Sequence, residues 1–215
     1  MSITSPWQTF EKAMSIFYSM KGGDAIAFCR GGKFTLSTVN PPGLYNPNCS
    51  ATNPCRIEDY YQVDATKTAK PFITNTKGGV FKFQDPGDPD KDGGYLVKNL
   101  YIKGGGIGEG VFIHNDVDDL TIDNLTIEGF EEGIQAALSN TITSANVNGQ
   151  NDRLIIKNSS IINNLKQGFL GSCNDCLIEG NKFDNNGFSM KIFTHNIYFG
   201  GKNSKKCYYK KQYAT

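Results

Sequence analysis

The feature of this sequence that most constrains its fold is a short pattern that occurs four times between Tyr95 and Phe199. In each copy apolar residues alternate with polar ones, the alternation is interrupted by one position, and it then resumes. The copies are spaced by 25, 34 and 22 residues, as expected when one supersecondary unit stacks on the next and insertions fall in loops. The four copies are Leu96–Ile102, Thr121–Ile127, Ile155–Ile161 and Leu177–Phe183.

The interruption in each copy predicts a sharp corner between two strands. The residue there is Asn99, Asn124, Asn158 or Gly180, all of types that tolerate left-handed backbone. A third apolar segment follows each pair of strands, so one unit has about three short strands and three bends. Such a unit cannot bury its apolar face alone, so the units must stack and share an interior. We expect two inward columns, one of Val97, Ile122, Ile156 and Ile178, the other of Ile102, Ile127, Ile161 and Phe183.

This pattern resembles the right-handed parallel β-helix superfamily, which includes pectate lyases, alginate lyases and epimerases, and tailspike-like depolymerases. The resemblance covers about residues 24–204 and implies an all-β fold, a right-handed parallel β-helix or solenoid. It also implies a secreted or cell-envelope protein that acts on or binds an acidic polysaccharide, as a lyase or epimerase does. A non-catalytic β-helix that binds glycans, such as an adhesin or a tail-spike segment, and an inactive fragment are the alternatives.

Residues 1–23 are predicted to form a short amphipathic helix that caps the coil. Ser5 and Pro6 are typical of a helix start, and Gly22 of a stop. The apolar residues at helical spacing would cover the open first turn, since a solenoid needs capped ends. These residues are Trp7, Phe10, Met14 and Phe17.

Charge and composition limit the range of partners. A net charge of +1, from 22 basic and 21 acidic residues, does not favour binding to nucleic acid. No apolar run approaches the length of a membrane span, so no membrane insertion is expected, and Met1–Thr4 lacks the features of a targeting segment. Cys49 and Cys55 are candidates for a short disulfide, and Cys176 is expected in the core. Oligomeric state is left open.

An aspartate-rich turn is a candidate calcium site. Asp88, Asp90 and Asp92, followed by Gly93, match the opening of a calcium loop in which alternate carboxylates converge on one cation. The closing glutamate of an EF-hand is missing because Asn99 occupies the twelfth position, which excludes that motif. A solvated turn is the alternative.

Outward-facing residues are the candidates for substrate contacts. Alternation places Gln135 and Tyr198 in one outward row and Tyr101 and Lys182 in another, and the second row is suited to hold a sugar chain. We therefore predict Tyr101, Lys182 and Gln135 as substrate-binding residues. Tyr45, Tyr60 and Tyr61, in an aperiodic segment, either stack on sugars or pack their loop down.

A lyase or epimerase needs a base, an acid and a group that neutralises the uronate carboxylate. Lys191, His195 and Tyr198 supply these types within one short stretch, with His195 as base, Tyr198 as acid and Lys191 as neutraliser. The alternative is that His195 belongs to a bend and Tyr198 is a surface aromatic.

The last residues, 205–215, depart from the repeat and are predicted to form an aberrant tail outside it. Translation of plausible codons after deletion of one base gives K-N-V-I-I-K-N-N in place of residues 205–212, which closely matches Leu154–Asn158. This supports the hypothesis that the chain is a frameshifted or truncated member of the superfamily.

Overall fold

The computed structural model describes residues 7–61, 68–84, 93–114, 116–137, 151–189, 195–200 and 208–210. These residues form a coil in which each turn contributes a strand to each of three parallel sheets. Sheet A contains β1 (Ala25–Cys29), β4 (Cys55–Tyr60), β7 (Tyr95–Lys98), β10 (Leu120–Asp123), β13 (Ile155–Lys157), β16 (Leu177–Glu179) and β19 (Tyr208–Lys210).

The other two sheets have the same stacked order. Sheet B contains β2 (Lys33–Leu36), β5 (Phe72–Asn75), β8 (Tyr101–Gly104), β11 (Thr126–Glu128), β14 (Ser160–Ile162) and β17 (Lys182–Asp184). Sheet C contains β3 (Gly43–Leu44), β6 (Phe81–Gln84), β9 (Glu109–His114), β12 (Glu132–Ala137), β15 (Phe169–Gly171) and β18 (Ile197–Phe199). The predicted parallel β-helix is confirmed.

Both predicted inward columns are present. Val97 pairs with Ile122, which pairs with Ile156 and through it with Ile178, and all four side chains are at most 1% exposed. The second column has the same register within sheet B. Earlier turns extend the columns with Ile57 and Ile73, and the core is one continuous cluster of apolar side chains.

The predicted corners have left-handed backbone. The φ angles of Asn99, Asn124, Asn158 and Gly180 are 60°, 54°, 52° and 64°. The Asn124 side-chain amide also donates to Asn99 Oδ1 at 2.8 Å, and Asn158 donates to Asp123 Oδ1 at 2.9 Å. Asparagine therefore supplies both the backbone conformation and a hydrogen bond between turns.

The N-terminal helix is shorter than predicted. Helix α1 covers Phe10–Met14, and its N-cap is Thr9, whose hydroxyl accepts from the Lys12 backbone N–H at 3.2 Å. Trp7 precedes the helix, and a 3₁₀ turn follows at Phe17–Ser19. Phe10 stacks on Phe28 of β1 with ring centroids 5.6 Å apart, so α1 packs on the first turn as expected of a cap. No helix among the described residues is both long and apolar enough to cross a membrane.

Part of the predicted aberrant tail continues the coil. Tyr208–Lys210 pairs in parallel with β16, with Tyr209 in register with Ile178 and Lys210 with Glu179. This pairing is compatible with the departure of residues 205–215 from the sequence repeat, because strands in a parallel sheet pair through their backbones. Residues 205–207 and 211–215 lie outside the described residues, so for them the aberrant tail stays a prediction.

Two pairs of cysteines, one near each end of the described coil, form short disulfides, while Cys29 is free. Cys49 and Cys55 are bonded as predicted, with Cα atoms 5.4 Å apart. Cys173 and Cys176 are also bonded, and both are buried, as expected for Cys176.

Candidate functional site

The outward face of sheet A is occupied by its own charge pairs. One outward row alternates in sign along the stack, and Lys98 Nζ lies 3.0 Å from Glu58 Oε2, while Lys157 Nζ lies 3.5 Å from Asp123 Oδ2. Each charge in this row has an opposite neighbour, so the row offers no excess charge to a ligand. The row consists of Glu58, Lys98, Asp123, Lys157, Glu179 and Lys210.

The outward face of sheet B combines aromatic rings, hydroxyls and lysines. Strand register confirms the predicted row through Tyr101 and Lys182. From the first turn to the last, this row is Lys33, Phe72, Tyr101, Thr126, Ser160 and Lys182. The parallel row next to it is Thr35, Thr74, Lys103, Glu128, Ile162 and Asp184.

Tyr101 is fixed at the centre of this face by three neighbours. Its ring lies 4.7 Å from that of Phe72, edge to face, and its hydroxyl donates to Glu128, which also accepts from Lys103 Nζ at 3.1 Å. Burial and the bond to Glu128 raise the pKa of Tyr101 to about 12. Burial alone would raise the pKa of Glu128, but the bonds from Tyr101 and Lys103 outweigh it and lower that pKa. Tyr101 is therefore a neutral hydrogen-bond donor near pH 7.

Lys70, just before β5, reaches over the same row. Its Nζ lies 3.5 Å from Thr126 Oγ1, two turns further along the stack, and the side chain is half-buried. Burial and then the charge of Arg30 lower the pKa of Lys70, while Asp123 and Asp59 offset part of the effect. None of the ion pairs formed by the described residues includes Lys70. Lys182, by contrast, is paired with Asp184 at 3.0 Å.

The predicted catalytic residues lie on a different face. Tyr198 belongs to the outward row of sheet C together with Gln135, as predicted. The ring centroids of His195 and Tyr198 are 6.2 Å apart with an interplanar angle of 11°, and both side chains are exposed. Lys191 lies outside the described residues. The structure thus brings His195 and Tyr198 together, but it separates them and Gln135 from Tyr101 and Lys182.

The predicted calcium ligands Asp88, Asp90 and Asp92 also lie outside the described residues. Within the part of the chain that is described, no group of three or more His, Cys, Asp or Glu side chains is arranged to hold a metal ion.

A second acidic cluster binds an arginine of the next turn. Arg153 lies 2.8 Å from Asp118 and 2.7 Å from Asp119 at the corner that precedes sheet A. Burial is the main cause that raises the pKa of Asp118 to about 6.

Sequence reasoning missed Lys70, Lys103 and Glu128. Lys103 lies two residues after Tyr101 in β8, and Glu128 is its partner in β11. The alternation that selected Tyr101 as outward-facing therefore also marked Lys103 and Glu128 as outward-facing. Lys70 precedes a strand in a segment without periodicity, and its partner Thr126 is 56 residues away. Only the stacking of turns brings the two together.

Comparisons with known proteins add little to this geometry. No family model matches the sequence, and no curated protein sequence matches it. A search of solved structures finds the alginate lyase from Paenibacillus sp. str. FPU-7, at 14% sequence identity and a TM-score of 0.36, covering 96% of this chain and 94% of that chain. A similarity this low does not assign an activity.

Proposed function

We propose that this protein binds an acidic polysaccharide across the outward face of sheet B, with one uronate carboxylate at Lys70. The observation that supports the proposal is the Lys70 ammonium group, half-buried, bonded to Thr126 and without an ion-pair partner among the described residues.

A partly buried cation without a direct ion-pair partner is a favourable site for an anion. Burial destabilises the charged form of Lys70, as the lowered pKa shows. A bound carboxylate reverses this effect, because it places an opposite charge in direct contact with the ammonium group and adds a charge-assisted hydrogen bond. Free carboxylates compete poorly for a surface lysine in water, whereas the half-buried Lys70 has already lost part of its hydration.

The rest of the face suits a sugar polymer. The rings of Phe72 and Tyr101 offer apolar surface beside Lys70, and the hydroxyls of Thr126 and Ser160 follow on the next two turns. Adjacent parallel strands lie about 4.8 Å apart, so these groups form a regular row along the stack. A polymer with repeating hydroxyl and carboxylate groups matches such a row better than a compact ligand does.

Calorimetric titration with a panel of polyuronates, and with a neutral polysaccharide as reference, tests this proposal. Lys70→Met removes the charge and keeps an unbranched chain, and Lys77→Met, at an exposed turn, is the matched control. We expect binding of a polyuronate by the unaltered protein and by Lys77→Met. Lys70→Met should weaken it about tenfold or more, since a hydrogen bond to a charged group contributes about 1.5–3 kcal/mol. Equal affinity of Lys70→Met and the unaltered protein contradicts the assignment.

A catalytic function is a second proposal, favoured by the contact between His195 and Tyr198. In the elimination, His195 takes the proton from C5 of a uronate, the C4–O4 bond breaks with its electron pair moving to oxygen, and Tyr198 protonates that oxygen. A C4=C5 double bond remains in the product, and Lys191 neutralises the carboxylate. Epimerisation would use the same proton abstraction, followed by return of a proton to the opposite face of C5.

The ultraviolet absorbance of the unsaturated product reports the elimination. Activity in the unaltered protein that disappears in both His195→Ala and Tyr198→Phe supports it, while activity that survives both changes excludes these roles. Parallel assays with added calcium and with a chelator test the further proposal that Asp88, Asp90 and Asp92 bind calcium. Because sheets B and C are different faces, binding at Lys70 does not depend on the outcome.

A further inference from the structure

Tyr61 is an exposed aromatic ring with a cation fixed against one side. The side chain is 58% exposed, and Arg30 Cζ lies 4.4 Å from the ring centroid. Cation–π contact of this kind favours one orientation of the ring. The ring therefore presents its open side to solvent in a defined direction.

Arg30 itself is held in place by hydrogen bonds to Asp59 and Thr68, which lie on either side of Tyr61 in the sequence. Its Nε lies 2.5 Å from Asp59 Oδ2, its Nη1 donates to the carbonyl of Thr68 at 2.5 Å, and its side chain is only 16% exposed. Its backbone N–H donates to the Tyr60 carbonyl at 3.0 Å. Arg30 is thus a rigid support for Tyr61.

The same arginine joins Tyr61 to the Lys70 region. Gly31 N donates to the Ala69 carbonyl at 2.9 Å, which places the residue after Arg30 beside the residue before Lys70. Arg30 is also close enough to Lys70 for its charge to act on that amine. Tyr61 and Lys70 therefore flank one fixed guanidinium at the start of sheet B.

The other candidate tyrosines lack this arrangement. Tyr45 is half-buried against Tyr18, with ring centroids 6.0 Å apart, and Tyr60 is half-buried within β4. Tyr101 is bonded to Glu128 and packed on Phe72. Among these tyrosines, Tyr61 has the exposed and supported ring that a stacking contact requires.

We infer that Tyr61 is a sugar-stacking subsite beside Lys70. The Tyr61 ring receives the apolar face of a pyranose ring that is adjacent to the uronate held by Lys70. This inference rests on the proposed function and adds a second contact of a different chemistry. The Lys70 contact is electrostatic and is screened by salt, whereas the Tyr61 contact arises from apolar surface and ring geometry. Arg30 is a positioning residue because it acts through the ring.

Titration of uronate oligosaccharides at several salt concentrations tests the inference. Tyr61→Ala and Tyr61→Leu both remove the aromatic face, and the leucine keeps apolar volume over Arg30. Tyr61→Phe keeps the face, and Tyr18→Ala removes a comparably exposed tyrosine elsewhere. We expect Tyr61→Ala and Tyr61→Leu to weaken binding about three- to tenfold at every salt concentration. The affinity of Tyr61→Phe and Tyr18→Ala should be unchanged, and Lys70→Met should flatten the salt dependence.

The outcomes separate the two proposals. If the unaltered protein binds no uronate polymer, the proposed function fails. If it binds and Lys70→Met weakens binding, but both Tyr61→Ala and Tyr61→Leu keep full affinity, the stacking subsite is overturned and the Lys70 site stands. Thermal unfolding of each variant identifies any that is unfolded, and Tyr61→Phe together with Tyr61→Leu then decides the matter.

Discussion

The corner at Asn124 allows a test in which the expected order of stability of two substitutions, to glycine and to alanine, is opposite to the order expected at Thr121, three residues earlier. Asn124 has a φ of 54° and donates to Asn99 Oδ1 at 2.8 Å. Loss of the hydrogen bond destabilises both Asn124→Gly and Asn124→Ala by about 0.5–1.5 kcal/mol. Alanine adds about 1–2 kcal/mol of left-handed strain, and glycine adds about 0.4–1 kcal/mol through the freedom of the unfolded chain. We expect totals of about 1.5–3.5 kcal/mol for alanine and about 0.9–2.5 kcal/mol for glycine, with alanine the less stable of the two.

Thr121, an outward residue of β10, is the control. Its backbone is extended, so glycine is expected to be less stable than alanine there by about 0.5–1 kcal/mol. Urea unfolding followed by circular dichroism measures all four variants, with the slopes compared so that changes of midpoint report stability. Alanine equal to or better than glycine at Asn124, or the same order at both positions, would refute the reasoning.

Three further predictions concern the core, the tyrosine on sheet B and the tail. Ile122→Ala should lower the free energy of unfolding by about 2–5 kcal/mol, and a loss below 1 kcal/mol in urea unfolding contradicts the stacked column. The pKa of Tyr101 is raised to about 12 in the folded protein, so folding favours the neutral phenol. The resulting contribution to the free energy of unfolding is fully present below the pKa of Tyr101 in the unfolded chain and is lost as the pH rises through about 12. The absorbance titration of the unaltered protein should show a late-ionising tyrosine that Tyr101→Phe lacks. Replacement of residues 205–212 by K-N-V-I-I-K-N-N places isoleucine in register with Ile178 and should raise stability by about 1–2 kcal/mol; no gain in thermal unfolding contradicts the frameshift hypothesis.

The sequence was most informative where structure depends on local periodicity. The columns through Ile122 and the corners at Asn124 follow from alternation and from one residue type, both of which are visible within a single copy of the repeat. The pairing of Tyr208–Lys210 was not predicted, because the signal used was apolar alternation and the strand pairs through its backbone. The predicted start signals Ser5 and Pro6 lie outside the described residues, and the described helix α1 is capped by Thr9, which was not singled out.

The candidate site was only partly predictable, because its residues come from different turns. Parity alone placed Tyr101 and Lys182 in one outward row. The proximity of Lys70 to Thr126, and of Arg30 to Tyr61, depends on which turns are adjacent and on where the chain enters each strand. No motif marks those positions, since neither pair is close in sequence.

The alternating charges on sheet A give the coil a period of two turns, although its backbone repeats every turn. Loss of the turn that carries Asp123 would place Lys98 beside Lys157, and duplication of one turn would likewise bring two like charges together, which is unfavourable across adjacent strands. Loss or gain of two turns preserves the alternation. Relatives of this chain that differ in length should therefore lengthen or shorten by pairs of turns wherever this charged row is retained.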